Sequence, residues 1–296
     1  MCGLPGHPSI HIDTMNLNGR RESSNISDQR GRRGGGPGLK IGGGIGAIVI
    51  AAIIAWISGG NPLDVLTQAG GSMLQQETGY GQADYTPTQE EEELARFSRQ
   101  ILAGTEDVWT KLFAEQGLEY EAPTLVLYTG SVQSGCGNAS ASVGPFYCSA
   151  DERLYIDLSF FSQMRQTLGA GGDFAYAYVI AHEVGHHVQH LLGTLDDAHS
   201  RMSRMSEADA NRLSVALELQ ADYYAGVWAH HDNEMFSSIE DGDIEEAIDA
   251  AHKIGDDYLQ KQAQGYTVPE SFTHGTSQQR MEALRSGLTT GRFPQR

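Results

Sequence analysis

The pattern of apolar and polar positions divides the chain into four stretches. Residues 1–40 have no apolar periodicity, and Arg30 to Gly38 reads RGRRGGGPG. A stretch of that composition buries too little apolar surface to fold, so 1–40 is expected to be a disordered basic tail. Ile41 to Ile57 then runs for 17 residues without a charge, and Ser58, Gly59 and Gly60 prolong it. A helix crossing ~30 Å of hydrocarbon takes ~20 apolar residues, with ~17 as the lower limit, so 41–60 is expected to form one transmembrane helix. Trp56 stands near its far end, where an amphipathic ring prefers the interface. A cleaved signal peptide fits less well, because the run exceeds an ordinary signal core and no Ala-x-Ala site follows it. Residues 61–87 are rich in Gly, Gln and Thr, with few large apolar side chains, and read as a flexible tether.

From residue 88 the periodicity is that of a folded body, 88–296. Thr88 can cap a helix whose first turn holds Glu90 to Glu93, where the helix dipole favours anions. Leu94, Phe97 and Ile101 follow at helical spacing, and a second helix is expected over 106–115. Thr124 to Tyr128, bounded by Pro123 and Gly130, reads as a strand, as do 145–148 and 154–158 across a connection of hairpin length. Helices are expected over 159–168, 174–192, 205–231, 241–263 and 276–286. A small sheet packed on several helices makes this a mostly helical α+β domain, preceded by the one transmembrane helix.

Charge adds a direction. The chain carries 38 acidic and 20 basic residues, a net −18, which excludes the basic footprint of a nucleic-acid binder. Six of those basic residues but only three of the acidic ones lie in 1–40. A basic flank before an apolar run places the N-terminus in the cytoplasm and the body outside it. In an exported body, Cys136 and Cys148, at either end of a Gly/Ser/Ala loop, are expected to form a disulfide.

The candidate chemistry lies in the 174–192 helix, where His182, Glu183, Val184, Gly185 and His186 spell HExxH. Residues i and i+4 share a helix face, so both imidazoles can reach one ion, and Glu183 can take a proton from a water beside it. Catalytic zinc takes three protein ligands and leaves a position open. The pattern HExxHxxGxxH would need Gly at 189 and His at 192, where this chain has Gln189 and Leu192. His187 points to another face and His190 lies a turn too far. Glu218 on the 205–231 helix is the better third ligand, and with Asp222 one turn on it resembles the second-helix arrangement of the gluzincins, which implies that Asp222 orients a zinc histidine.

Several segments together resemble the putative neutral zinc metallopeptidase family of bacteria, whose members are single-span membrane proteins. They are GRRESSNISDQRG at 19–31, GCGNASASVGPFYC at 135–148, LYIDLSFF at 154–161, AHEVGHHVQ at 181–189, ELQADYYAG at 218–226 and SFTHGTSQQR at 271–280. The resemblance starts near Asn16, which raises the question whether Met15 rather than Met1 begins the protein. It implies a zincin-like domain, a Zn2+ cofactor and a peptide or protein substrate, in a single-pass protein of the bacterial cytoplasmic (inner) membrane. A more distant similarity to membrane gluzincins places His274 and Arg280 where those enzymes carry a histidine–arginine segment. His274 is then either an oxyanion donor or a helix cap, and Tyr223 and Tyr224 are further donor candidates. The expected activity is membrane-anchored peptide hydrolysis. The alternative is a tethered assembly or chaperone-like factor using zinc only as a clamp, against which Glu183 counts, since a structural site needs no base.

Overall fold

The computed structural model describes residues 15–32 and 85–293. Short strand β1 (Ile26–Asp28) comes first, then the long helix α1 (Gln89–Glu115). Strands β2 (Thr124–Tyr128), β3 (Ser131–Ser134), β4 (Gly137–Ser140), β5 (Phe146–Cys148) and β6 (Arg153–Asp157) follow. The remainder is helical: α2 (Ser159–Gln163), α3 (Asp173–Leu191), α4 (Thr194–Met202), α5 (Glu207–Phe236), α6 (Asp243–Lys253), α7 (Asp256–Gln264) and α8 (Ser277–Thr290). The main sheet has the order β1-β2-β6-β5, parallel except for β5, which runs antiparallel to β6 along one edge. A separate hairpin, β3–β4, is fastened to that edge by the Cys136–Cys148 disulfide.

The mostly helical body with small sheets matches the sequence pattern. Thr88 caps α1 in a capping box with Glu91. Gly172 caps α3 and Asp173 takes its first helical position. Two expected helices merge into α1, and the expected 241–263 helix breaks at Gly255 into α6 and α7. Helices α5 and α8 touch backbone to backbone. A Cβ on Gly287 would lie 2.0 Å from the Tyr223 carbonyl oxygen, and one on Gly226 would lie 2.2 Å from that of Leu284. Behind this contact the core centres on Trp109, whose ring meets Tyr224 and Phe293 edge-on at 5.6 and 5.4 Å.

Two expectations are corrected here. The first concerns the basic tail, of which 15–32 is an integral part of the body. Met15 is buried in the main core, and β1 pairs with β2 in register Ile26 to Leu125. Arg20 reaches the buried Asp232 carboxylate at 2.7 Å and stacks 3.7 Å over the Phe236 ring. Ser23 donates to Glu106 at 2.5 Å. Low apolar content concealed this segment, because polar bonds hold it more than hydrophobic ones.

The second correction concerns the membrane. The expected helix at 41–60 and most of the 61–87 tether lie outside the described residues, and among the described residues no helix is long and apolar enough to cross a membrane. The sheet adds a positive argument. Strand β1 precedes residue 41 and its partner β2 follows residue 60. Gly31 likewise lies directly against the ring of Tyr85. A chain crossing a membrane once between residues 32 and 85 would leave these partners on opposite faces. The single-pass arrangement, N-terminus inside and body outside the bacterial inner membrane, is therefore withdrawn.

If 15–32 belongs to the body, Arg20→Met strands Asp232 in the interior without its cation. The expected loss is about 3 kcal/mol, the usual size for breaking a buried ion pair from one side. Urea unfolding measures it, and an unchanged midpoint would mean that the segment is not docked.

Candidate metal centre

Helices α3 and α5 build the centre between them. They approach closely because Gly185 faces Ala221, where a Cβ would meet the Ala221 backbone at 3.0 Å. The spacing of HExxH sets His182 and His186 on the face of α3 that looks at α5, their ring centroids 4.8 Å apart. Glu218 projects from α5 between them. Its carboxylate oxygens lie 3.2 Å from His182 Nε2 and 3.5 Å from His186 Nε2. One donor atom from each of the three residues falls within 4.8 Å of the other two.

The far nitrogen of each ring is taken. His182 Nδ1 lies 2.8 Å from Asp222 Oδ1, and His186 Nδ1 lies 2.9 Å from Gln189 Oε1. With Nδ1–H donated to an oxygen, each ring turns Nε2 toward Glu218, where it donates a proton while the ring is charged and offers a lone pair to a metal ion once it is neutral. Two imidazole nitrogens and a carboxylate are a zinc-type donor set, so these residues fit the ion.

Asp222 is fully buried and accepts from more than His182. Tyr178 Oη donates to it at 2.6 Å, and the Arg280 guanidinium of α8 donates twice at 2.9 Å. Burial opposes its charge, but Arg280 and His182 outweigh burial and hold the carboxyl near 2. Gln189 is anchored in turn, its amide donating to the Leu217 carbonyl at 2.7 Å. Burial would strip the proton from His182, yet the carboxylates of Asp222 and Glu218 hold its pKa up at about 10. The Glu218 carboxyl, opposed by burial, is held well below its ordinary range by His186, His182 and His274. The site thus has two negative groups that gather positive charge, from protons or from a metal ion.

Three comparisons bear on this arrangement. The family described as "Putative neutral zinc metallopeptidase" matches residues 15–295. The chain belongs to this family. The metallopeptidase-family chain is 46% identical over 281 residues to "Uncharacterized protein YpfJ" of Escherichia coli (strain K12), covering 94% of this chain and 96% of that protein. It is 42% identical over 182 residues to "Uncharacterized protein Rv2575" of Mycobacterium tuberculosis (strain ATCC 25618 / H37Rv), covering 58% and 60%. No solved structure matches it at a significant level.

The remaining sequence candidates of this family member separate cleanly. Glu183, 5% exposed, follows His182 on the same helix, and burial raises its carboxyl pKa. His274 is buried beside the site, its Nδ1 held 3.1 Å from Asp256 Oδ1. It does not cap α8, a role taken by Thr276. Tyr223 turns to the Arg292 carbonyl and Tyr224 into the Trp109 core, so neither faces the centre. His187 is locked between Tyr147 Oη and the Glu121 carbonyl, and burial lowers its pKa to about 4. Sequence reading missed Tyr178, Gln189 and Asp256. Asp256 had one available signal, an Asp after Gly at a helix start; the other two had none.

If His182, His186 and Glu218 hold a zinc ion, the His182→Ala, His186→Ala double variant loses it. Asp222→Asn weakens its retention by about 10- to 100-fold. Competition with a chromophoric chelator reads both, and full retention in the double variant would refute the ligand set. A second expectation follows from the electrostatics. A ligand histidine must be neutral, and at pH 7 metal-free His182 carries a proton because its pKa stands near 10. Zinc uptake at pH 7 therefore expels protons, and affinity falls as pH falls. Titration calorimetry in two buffers of different ionisation enthalpy measures the release, and identical heats in both would contradict it.

Proposed function

We propose that this protein is a zinc-dependent peptidase that hydrolyses peptide bonds with Glu183 as general base. The observation that carries the reading is the convergence of His182 Nε2, His186 Nε2 and the Glu218 carboxylate beside Glu183. A purely structural site would need no buried carboxylate adjoining the ligands. Bound zinc supplies Lewis acidity toward a carbonyl oxygen and makes a nearby water acidic near neutral pH.

The rest of the chemistry belongs to the chain. Glu183 accepts a proton from the attacking water as its oxygen adds to the carbonyl carbon. Its raised pKa makes it a better acceptor at neutral pH than an exposed glutamate. It returns that proton to the amine nitrogen as the C–N bond breaks. Asp222, itself fixed by Arg280 and Tyr178, holds the His182 ring in one tautomer. His274, held through Nδ1 by Asp256, donates from its other nitrogen to the oxygen that becomes negative. Strand β5 ends the main sheet with no further strand paired to it among the described residues, and its Tyr147 N–H donates to Glu183. An extended substrate can add to such an edge through its own backbone.

The decisive experiment digests casein or a peptide library with wild type, Glu183→Gln and a chelator-treated sample. Glu183→Gln keeps shape and ligands, so it retains zinc and loses ~10²-fold or more of the hydrolysis. Equal cleavage by wild type and Glu183→Gln would sink the mechanism. Tight zinc with no cleavage by any sample would favour the assembly-factor reading.

A further inference from the structure

A second group of carboxyls converges at the opposite end of α3. Asp173, its first residue, meets Asp243 and Glu246 of α6, with one oxygen from each within 4.8 Å of the others. Asp173 is only 2% exposed. Crowded, buried carboxyls are costly while ionised, and burial together with Asp243 pushes the Asp173 pKa up to about 6. Among the described residues no lysine, arginine or histidine forms an ion pair with Asp173 or Asp243.

What enters the pocket is a main-chain nitrogen. Met15 N donates to Asp173 Oδ2, and the Met15 side chain is buried in the main core. The second oxygen, Asp173 Oδ1, is buried and has no hydrogen-bond partner among the described residues. A peptide N–H has one hydrogen and no charge, whereas an amino terminus has three hydrogens and a full positive charge.

We propose that the pocket of Asp173, Asp243 and Glu246 is a binding site for an α-ammonium group, that of Met15, and that the functional chain carries its free amino terminus there. Three donors supply the orphaned Asp173 oxygen as well as its bonded one, and the charge offsets the repulsion among the carboxyls. The family match begins at this same residue. Residue 15 is a methionine followed by Asn16, whose side chain is too large for the aminopeptidase that removes initiating methionines. A chain initiated at residue 15 therefore keeps this terminus. The helix that bears His182 and His186 is then pinned at its start by the end of its own chain.

Three measurements test this. Intact mass of the protein from its native cells gives Met15 as the first residue; an active protein beginning at Met1 would overturn the proposal. Reductive methylation at neutral pH spares the α-amine in the folded protein and modifies it in urea, and ready modification of the folded form would count against burial. Chains 1–296 and 15–296 are then melted with and without Asp173→Asn. The shorter chain melts about 5 °C or more above the longer, in keeping with a buried ion pair, and the substitution removes most of that gap. Asp243→Asn serves if the first variant does not fold. Equal melting of the two unsubstituted chains would refute the ammonium site.

Discussion

The Asp222 carboxylate is the contact on which the rest of the site depends. It has no solvent exposure and accepts from Tyr178 and His182 on α3 and from Arg280 on α8, while α5 carries it. An isolated carboxylate so deep would take up a proton. Arg280 keeps it ionised, and only the ionised form accepts from all three partners at once. One ion pair therefore joins three helices and selects the nitrogen that His182 turns toward Glu218. Replacing the pair by apolar side chains could leave stability unchanged, but it would free the imidazole to rotate, so its worth lies in orientation.

The same helix is held by acidic groups along its length. Asp173 sits at its start, Glu183 midway and Asp222 across from His182, with Gln189 binding His186 near its end. Between these polar anchors α3 is apolar and buried, from Phe174 to Ala181. Packing fixes where the helix lies, and the polar anchors fix how its histidines turn. The close approach of Gly185 to Ala221 brings Glu218 within reach of both rings.

Much of this was legible in the sequence wherever a local rule applied. The i, i+4 spacing of His182 and His186 needs only helical periodicity. Glu218 and Asp222 stood out as acidic residues in an apolar helix. Strands β2, β5 and β6 were visible as short apolar and aromatic runs between turn residues. What was hidden depended on distant partners. Strand β1 is three residues long and is a strand only because β2 lies beside it. Gln189 looked merely like a departure from another ligand pattern, and its role shows only once the Leu217 carbonyl is seen to hold it. The apolar run at 41–57 obeyed a local rule, yet the pairing of strands on either side of it is incompatible with the single crossing that rule implied.

The Arg280–Asp222 clamp also has a consequence in time. The ligand helix α3 leaves the ribosome well before α8, and Arg280 is made almost a hundred residues after His182. Until α8 has been synthesised and has docked through Gly287 onto Gly226, Asp222 lacks its cation and His182 its fixed orientation. A nascent or C-terminally broken chain therefore carries the complete ligand motif without the geometry to use it. Order of synthesis thus keeps the candidate metal centre unassembled until the last helix of the chain is in place.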